Sequence, residues 1–225
     1  GPDRAILNAG AVFAVAGNPA GHSGSPAIHN PLFREKGVAA AYTIASVEAF
    51  GEIAQAVLDG TLAGVSVTAP FKLDALEFAR QQHASIGENA RDAGAVNTLV
   101  KLKNDLIADN TDVDGFSKIL ARICGRDRKT AALIGAGGTA RAALVALRRA
   151  GMDVIIYDPY LPEQRAEEIG SRLTDLAEVV KTSDVISLHV PLNDETRGMI
   201  DEAAMTKLRP RLNQSDRPSA ASSTA

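Results

Sequence analysis

The sequence predicts an α/β fold in two domains, an N-terminal three-layer α/β substrate domain and a C-terminal, Rossmann-like dinucleotide-binding domain. Short apolar runs alternate with amphipathic segments, a pattern that indicates parallel strands joined by helices. The glycine-rich turn GAGGTA at residues 135–140 lies between such a run and a helical pattern. A further apolar run, Asp153–Tyr157, predicts a second strand and ends in Asp158, about 20 residues past the turn, where dinucleotide-binding folds carry an acidic residue.

The composition is that of an ordinary globular protein. The 225 residues are 45% hydrophobic and 23% charged, with a formal net charge of -3. This weak charge gives no electrostatic reason to expect nucleic acid or a membrane surface as a partner. No apolar run approaches the length of a membrane span, and residues 1–10 lack the regions of a signal peptide. We therefore expect a cytoplasmic protein.

The sequence also gives no indication of a metal site. The single cysteine, Cys124, excludes an internal disulfide and a cysteine cluster. His22 and His29 have no acidic or histidine partner at the spacing that metal ligands need. We expect no bound metal.

The first half begins with a strand at Ala11–Ala16 and a helix that starts near Ser25. Ser25 is expected to cap this helix, with Pro26 at its first position. The hydroxyls of Ser23 and Ser25 beside free N–H groups suit a carboxylate ligand, although capping alone would explain one serine. Further strands are predicted at Ala39–Ser46, Gly64–Thr68, Gly94–Val100 and Leu106–Ala108, and further helices at Val47–Leu58, Leu73–His83 and Asp114–Ile123.

Polar residues follow or occupy several of these strands. Lys72 follows a proline turn at the carboxyl end of a strand, which is where open α/β sheets place ligands. Asn97 lies within a predicted strand, and Asp112 lies just before a predicted helix. Taken singly, a solvated lysine and a helix cap are the simpler interpretations of Lys72 and Asp112.

The second half opens with the unit that predicts dinucleotide binding. Thr130–Ile134 is expected to be a buried strand and Thr139–Ala150 a helix. The glycines between them allow a sharp turn and close approach of a ligand, and the free N–H groups at the helix start suit a pyrophosphate. The alternative is a turn that is only tightly packed. The expected contacts are Gly135, Ala136, Gly137, Gly138, Thr139 and Ala140, with Asp158 accepting hydrogen bonds from an adenosine ribose.

Five segments between about residues 12 and 157 resemble shikimate dehydrogenases. They are AVAGNPAGHSGSPAIHN, GVSVTAPFK, GAVNTLV, DNTDVDGF and LIGAGGTARAAL, in the order and spacing of that family. The resemblance implies the reversible reduction of 3-dehydroshikimate to shikimate by a nicotinamide cofactor, within aromatic amino acid biosynthesis. Five motifs in register are far more specific than a single glycine loop.

The resemblance also implies roles for individual residues. Ser23 and Ser25 would bind the substrate carboxylate, and Thr68 and Asn97 would bind ring hydroxyls. Lys72 and Asp112 would also contact these hydroxyls and would form the catalytic pair at the carbon that exchanges hydride. Which of the two moves the proton stays open.

Two positions depart from the family pattern. Ser66 stands where the family usually has asparagine, which weakens one substrate hydrogen bond. Asp158 replaces an Asn-Arg-Thr sequence that generally grips the 2′-phosphate of NADP. Because a carboxylate repels that phosphate and accepts hydrogen bonds from a ribose diol, we expect NAD, with NADP as the alternative.

Residues from about 151 to 210 resemble a different family, the cofactor domain of D-2-hydroxyacid dehydrogenases of the phosphoglycerate dehydrogenase type. The segments GMDVIIYDPYLPEQRAEE and TDLAEVVKTSDVISLHVPLNDETRGMIDEAAMTKLRP carry this resemblance. They predict a helix at Asp175–Lys181 and a strand at Asp184–His189. His189 would line the cofactor or be structural. The catalytic arginine, glutamate and histidine of that family cannot be assigned here.

These observations predict a substrate domain at residues 1–124, a truncated NAD(P)-binding Rossmann domain at 125–207 and a disordered tail at 208–225. The leading function is a shikimate dehydrogenase. One alternative is a catalytically dead remnant that binds shikimate or a nucleotide, and another is a 2-hydroxyacid dehydrogenase fragment. We expect a small-molecule substrate, a monomer or homodimer, and a possible association with dehydroquinate dehydratase through fusion or pairing.

Overall fold

The computed structural model describes residues 10–103, 105–123 and 129–207, and both Cys124 and the tail expected at 208–225 lie outside these ranges. The chain divides into two compact units. The first holds the described residues up to 116 together with 141–146, and the second holds the remaining described residues. The division therefore falls inside the helix Asp112–Ile123, a few residues before the expected boundary at 124.

The first unit contains a six-stranded mixed sheet. Its strands are β1 Ala11–Gly17, β2 Ala40–Ser46, β3 Gly64–Val67, β4 Ser85–Ile86, β5 Thr98–Leu102 and β6 Asp105–Asp109. Its helices are α1 Ser25–Glu35, α2 Phe50–Leu58, α3 Lys72–Gln81, α4 Glu88–Ala93 and α5 Asp112–Ile123, of which the last continues into the second unit.

Strand direction gathers the polar segments at one edge of this sheet. The strand order is β2-β1-β3-β5-β6-β4, with β1 parallel to β2 and β3, and β5 antiparallel to both β3 and β6. Since β5 runs in the opposite direction, the residues before it lie at the edge where β3 and β6 end. The turn that joins β5 to β6 lies at the opposite edge.

The core of the first unit is apolar and rich in alanine. Ala14, Val57 and Leu99 are fully buried beside the rings of Phe50 and Phe78, whose centroids are 5.7 Å apart in an edge-on arrangement. Burial of this side-chain surface, at about 25 cal/mol per Å², is the main term that holds the helices on the sheet. Short apolar runs on the strands and apolar faces of the helices produce this core.

The second unit is built on a parallel sheet with strand order β10-β7-β8-β9. Its elements are β7 Thr130–Ile134, α6 Gly138–Arg149, β8 Asp153–Tyr157, α7 Glu163–Glu168, β9 Arg172–Leu173, α8 Leu176–Thr182, β10 Val185–Leu188 and α9 Glu202–Lys207. Residues 141–146 of α6 belong to the first unit, where Ala142 and Val145 pack with Ala93 and Val113. Among the described residues, no helix is both long and apolar enough to cross a bilayer.

The structure corrects several element predictions. Gly94–Val100 is not one strand, because Gly94 adopts a left-handed conformation (φ 59°) that ends α4, and β5 begins only at Thr98. The two short elements β4 and α4 lie in a stretch for which the sequence predicted no element. A two-residue strand and a six-residue helix are too short to leave a periodic pattern.

The start of α1 also differs from the prediction. Gly24, and not Ser25, occupies the N-cap position, and no side chain caps the helix. Ser25 is instead the first helical residue, and its backbone N–H donates to Ser23 Oγ at 3.3 Å. The expectation that Ser25 caps the helix is therefore wrong.

Candidate functional site

Lys72 and Asp112 form a close ion pair in the first unit. Lys72 Nζ lies 2.5 Å from Asp112 Oδ2, although the two residues are 40 positions apart in the chain. Lys72 is only 7% exposed, whereas the Asp112 side chain is 30% exposed. A buried ammonium needs an opposite charge and hydrogen bonds to offset its lost hydration. The pair therefore consists of a buried ammonium and a carboxylate that is partly accessible to solvent.

Each member of the pair is the first residue of a helix. The turn before α3 contains a cis Ala69–Pro70 peptide, and the Phe71 N–H donates to the Thr68 carbonyl at 3.1 Å. The ring of Phe71 is buried in the core, so the turn is anchored immediately before Lys72. The sequence prediction of Lys72 at a strand's carboxyl end is consistent with this placement.

Asn97 lies beside the start of α5 and makes several hydrogen bonds there. Its Oδ1 accepts from the Thr111 N–H at 2.9 Å and from Thr98 Oγ1 at 2.8 Å. Its Nδ2 donates to Thr111 Oγ1 at 3.1 Å. Asn97 is buried. Because its carboxamide oxygen is already engaged, the second hydrogen on Nδ2 is the group left to meet a ligand.

Asn110 is a residue that the sequence analysis did not single out. It is fully buried, donates from Nδ2 to the Ala95 carbonyl at 2.9 Å, and accepts the Asp112 N–H at Oδ1 at 3.2 Å. The sequence signal is the segment DNTD, in which the asparagine lies two residues before Asp112. A side chain that accepts the N–H two residues ahead is a common role for asparagine before a helix.

Thr68 follows β3 directly and closely approaches β1. Its backbone N–H donates to the Ala16 carbonyl at 2.8 Å, and a Cβ at Gly17 would overlap the Thr68 side chain and lie 2.8 Å from the Ala69 carbonyl oxygen. Glycine at position 17 therefore lets the turn after β3 lie against β1. Thr68 is half-buried, at the same sheet edge as Asn97.

Ser23 and Ser25 form a hydroxyl pair at the start of α1. Ser23 Oγ donates to Ser25 Oγ at 3.1 Å, and both residues are half-buried. The preceding loop is held to β2, because the Ala20 N–H donates to Ser46 Oγ at 3.1 Å. The two hydroxyls that the sequence proposed for a carboxylate are thus adjacent.

Ser66, where the family pattern has asparagine, is bonded to a buried tyrosine. The Tyr42 hydroxyl donates to Ser66 Oγ at 2.6 Å, and the Tyr42 ring stacks on His29 with centroids 4.4 Å apart. Burial raises the pKa of Tyr42 above 10.0, and its hydrogen bond with Ser66 partly opposes this rise. His29 is therefore an aromatic packing partner of Tyr42.

The glycine turn in the second unit has the geometry that the sequence predicts. Gly135 has φ 95°, and a Cβ there would lie 2.6 Å from the His189 carbonyl oxygen. The space beside Gly137 is open, since no heavy atom lies within 4 Å of a Cβ at that position. An open backbone turn at the start of the twelve-residue helix α6 fits a pyrophosphate. Thr139 and Ala140 belong to the first turn of α6.

Asp158 binds the backbone of the second unit. Its Oδ2 accepts the Ala136 N–H at 2.9 Å, and its Oδ1 accepts the Tyr160 N–H at 2.9 Å. Oδ2 thus holds the end of β8 against the glycine turn, and Oδ1 fixes the segment that follows β8. This structural role explains an acidic residue here without a ribose ligand.

His189 lies just after β10. Its Nε2 is 2.9 Å from Ser187 Oγ, and its N–H donates to the Ile134 carbonyl at 2.8 Å. These contacts connect β10 to the end of β7 beside the turn. Among the residues that the structure describes, no group of three or more histidine, cysteine or acidic side chains could hold a metal ion.

The two units define a two-part α/β protein, in which a mixed sheet precedes a Rossmann-like parallel sheet along the chain. The model of the shikimate dehydrogenase substrate binding domain matches residues 15–99. The model of the D-isomer specific 2-hydroxyacid dehydrogenase NAD binding domain matches residues 115–212. The second match begins before the glycine turn, well ahead of residue 151, where the sequence resemblance changed.

Comparisons with individual proteins find shikimate dehydrogenases. A shikimate dehydrogenase (NADP(+)) of Xanthomonas euvesicatoria pv. vesicatoria is 37% identical over 74% of this chain and 59% of its own length. The pentafunctional AROM polypeptide of Yarrowia lipolytica is 34% identical over 83% of this chain and 12% of its own length. A crystal structure of shikimate 5-dehydrogenase from Thermus thermophilus, in complex with NADP(H) and shikimate, is 30% identical and has a TM-score of 0.67.

The Thermus alignment covers 80% of this chain and 68% of that enzyme. The chain described here belongs to the shikimate dehydrogenase family. It spans 59% of the length of the Xanthomonas relative and 53% of one from Syntrophobacter fumaroxidans.

These relatives overturn the expectation of NAD. The Xanthomonas and Syntrophobacter proteins are named as NADP(+) enzymes, and the Thermus structure contains NADP(H). The expectation rested on Asp158 as a ribose ligand that repels a 2′-phosphate. In the structure both oxygens of this carboxylate accept backbone N–H groups, which gives Asp158 a structural role instead.

We predict that Asp158→Ala lowers the free energy of unfolding by about 1–3 kcal/mol, because two backbone N–H groups lose a charged acceptor. The measurement is chemical denaturation at neutral pH. Asp194→Ala removes an exposed carboxylate of the same unit and serves as the control. Equal stability losses in the two variants would show that Asp158 does not hold the turn.

We predict that ionisation of Tyr42 lowers the free energy of unfolding at high pH. Its pKa is higher in the folded than in the unfolded chain, so its contribution is complete below pH 10.0 and is lost as the pH rises through the folded pKa. Denaturation of wild type and Tyr42→Phe between neutral pH and pH values above 10 measures this difference. An equally steep decline in both proteins would contradict the prediction.

Proposed function

We propose that this chain carries the site for the reversible reduction of 3-dehydroshikimate to shikimate, with NADP as the nicotinamide cofactor. The observation that carries the proposal is the buried Lys72–Asp112 pair, whose nitrogen and oxygen lie 2.5 Å apart. The first unit would bind the substrate and the second the cofactor. The family membership and the cofactor named for the relatives support the same proposal.

The proposed chemistry uses the proton on Lys72. A bound NADPH would supply a hydride to the carbonyl carbon of the substrate, and the carbonyl oxygen would need a proton. The Lys72 ammonium donates this proton, while the Asp112 carboxylate orients the ammonium and offsets its charge. In the oxidation of shikimate, the Lys72 amine, once its own proton has passed to solvent, would take the hydroxyl proton, and the hydride would pass from the same carbon to the oxidised nicotinamide.

The other polar groups would bind the substrate and orient its carbonyl group toward this pair. The Ser25 hydroxyl, which already accepts from Ser23, donates to the substrate carboxylate. The remaining Nδ2 hydrogen of Asn97 and the Thr68 hydroxyl bind ring hydroxyls. Such positioning makes a bimolecular step effectively unimolecular. It can supply several kcal/mol of the rate acceleration.

The glycine turn would hold the pyrophosphate of the cofactor. The open space at Gly137 and the start of α6 fit this group. Gly135 permits the close passage of the His189 backbone behind the turn. Asp158 stabilises the turn through its hydrogen bond with the Ala136 N–H.

We predict that Lys72→Ala lowers kcat by about 100-fold or more, because the reacting oxygen loses its proton donor. The change in shikimate affinity should be much smaller, since several other groups bind the substrate. Steady-state kinetics and shikimate binding measure the two quantities separately. Lys36→Ala, which removes an exposed lysine of the same unit, is the matched control. Equal losses in turnover and binding would contradict the catalytic role.

We predict shikimate-dependent reduction of NADP, with a higher kcat/KM than for NAD. Nicotinamide absorbance at matched cofactor concentrations measures both reactions. A preference for NAD would overturn the cofactor proposal and retain the reaction. If neither cofactor is reduced but shikimate raises the melting temperature, the chain is a binding protein and the proposed reaction is wrong.

A further inference from the structure

We infer that Asn110 is a positioning residue that fixes the relative placement of Lys72 and Asp112, an inference that rests on the function proposed above. Asn110 is fully buried. Both the nitrogen and the oxygen of its side-chain amide form hydrogen bonds with the protein backbone. It contacts the backbone of Asp112, and its side-chain bonds to Ala95 and Asp112 do not involve Lys72 directly. Its effect on the pair must therefore pass through the backbone.

The hydrogen bonds form a closed ring around the pair. The Asp112 N–H donates to Asn110 Oδ1, and Asn110 Nδ2 donates to the Ala95 carbonyl. The next residue, Val96, donates its N–H to the Lys72 carbonyl at 2.9 Å. The contact from Lys72 Nζ to Asp112 Oδ2 then closes the ring.

In this ring, Asn110 is the only side chain apart from those of Lys72 and Asp112. It ties the segment 95–96, which runs under the start of α3, to the first residue of α5. Without it, the Asp112 N–H and the Ala95 carbonyl lose their partners, and the two helix starts are no longer joined through residue 95. A shift of about 1 Å between reacting groups can lower a rate about 100-fold.

Asn110 is distinct from Asn97 in what it can do. Asn97 retains one Nδ2 hydrogen for a ligand and binds Thr111, one residue before Asp112. Asn110 is inaccessible to solvent. Its Oδ1 accepts the Asp112 N–H, and one Nδ2 hydrogen is donated to the Ala95 carbonyl. Loss of Asn110 should therefore change kcat more than substrate binding.

Asn110→Ser is the main test variant. A serine before a helix can still accept a backbone N–H near the helix start, so the fold is retained, but its side chain is too short to reach the Ala95 carbonyl. Asn110→Asp is the second variant, because it keeps the shape and the acceptor and removes the donor. We expect kcat to fall about tenfold or more in both, with a smaller change in the KM for shikimate.

Asn30→Ser is the matched control. Asn30 also uses both ends of its amide on backbone, because Nδ2 donates to the Tyr42 carbonyl at 2.9 Å and Oδ1 accepts the Tyr42 N–H at 2.8 Å. Its loss should cost similar stability, measured by melting temperature, and leave kcat unchanged. A role of Asn110 in folding alone would lower kcat no more than the control does.

A second readout does not depend on turnover. Limited acetylation with peptide mass spectrometry measures the reactivity of Lys72, with exposed Lys36 as an internal reference. We expect Lys72 in Asn110→Ser to react about threefold faster or more than in wild type and Asn30→Ser, because the pair opens more often.

The two readouts separate the two proposals. If wild type shows no turnover, the proposed function fails, and faster labelling in the Asn110 variants alone still supports the positioning role. Equal labelling in the Asn110 and Asn30 variants overturns it, whether or not the protein is active. Loss of the folded state in both Asn110 variants also counts against it, because the role would then be structural.

Discussion

The buried charge of Lys72 constrains the first unit more than any other interaction described here. An ammonium that is 7% exposed needs a permanent counter-charge, and Asp112 supplies one at 2.5 Å. Because a buried ammonium left without its counter-charge is strongly destabilising, the starts of α3 and α5 must stay together. The antiparallel course of β5 makes this possible, since it brings residues 95–97 between the two helix starts.

The second unit depends on a different kind of constraint, which is the close packing of backbone. The positive φ of Gly135 and the adjacent His189 carbonyl leave no room for a side chain. The carboxylate of Asp158 then binds the next N–H group along the turn, at Ala136. One anion within the protein thus shapes a turn that is suited to an anionic ligand.

Much of this architecture could be predicted from the sequence. The bounds of β7 and β8 agree with the expected strands at Thr130–Ile134 and Asp153–Tyr157, because buried parallel strands are short apolar runs with clear turn signals at their ends. The elements β4 and α4 carry no such signal, since they are held by neighbouring strands and not by their own periodicity. Tertiary context decides such short segments.

The limits of sequence-based prediction at the candidate site also come from tertiary context. The motif resemblance identified Lys72 and Asp112 as a pair, but Asn110 could not be found, because its importance lies in contacts with Ala95 and Asp112 that only the fold creates. Asp158 was misjudged for a related reason. Its position suggested a ligand contact, and the backbone N–H groups that it binds become visible only in three dimensions.

The reversal of chain direction between β5 and β6 has a practical consequence. The turn after Leu102 lies at the sheet edge opposite to Lys72, and Lys103 there already adopts a left-handed backbone (φ 51°). Leu102 is half exposed, so this corner contributes little to the core. A fluorophore, an affinity tag or a surface tether attached at this corner would leave the polar edge free for its ligands.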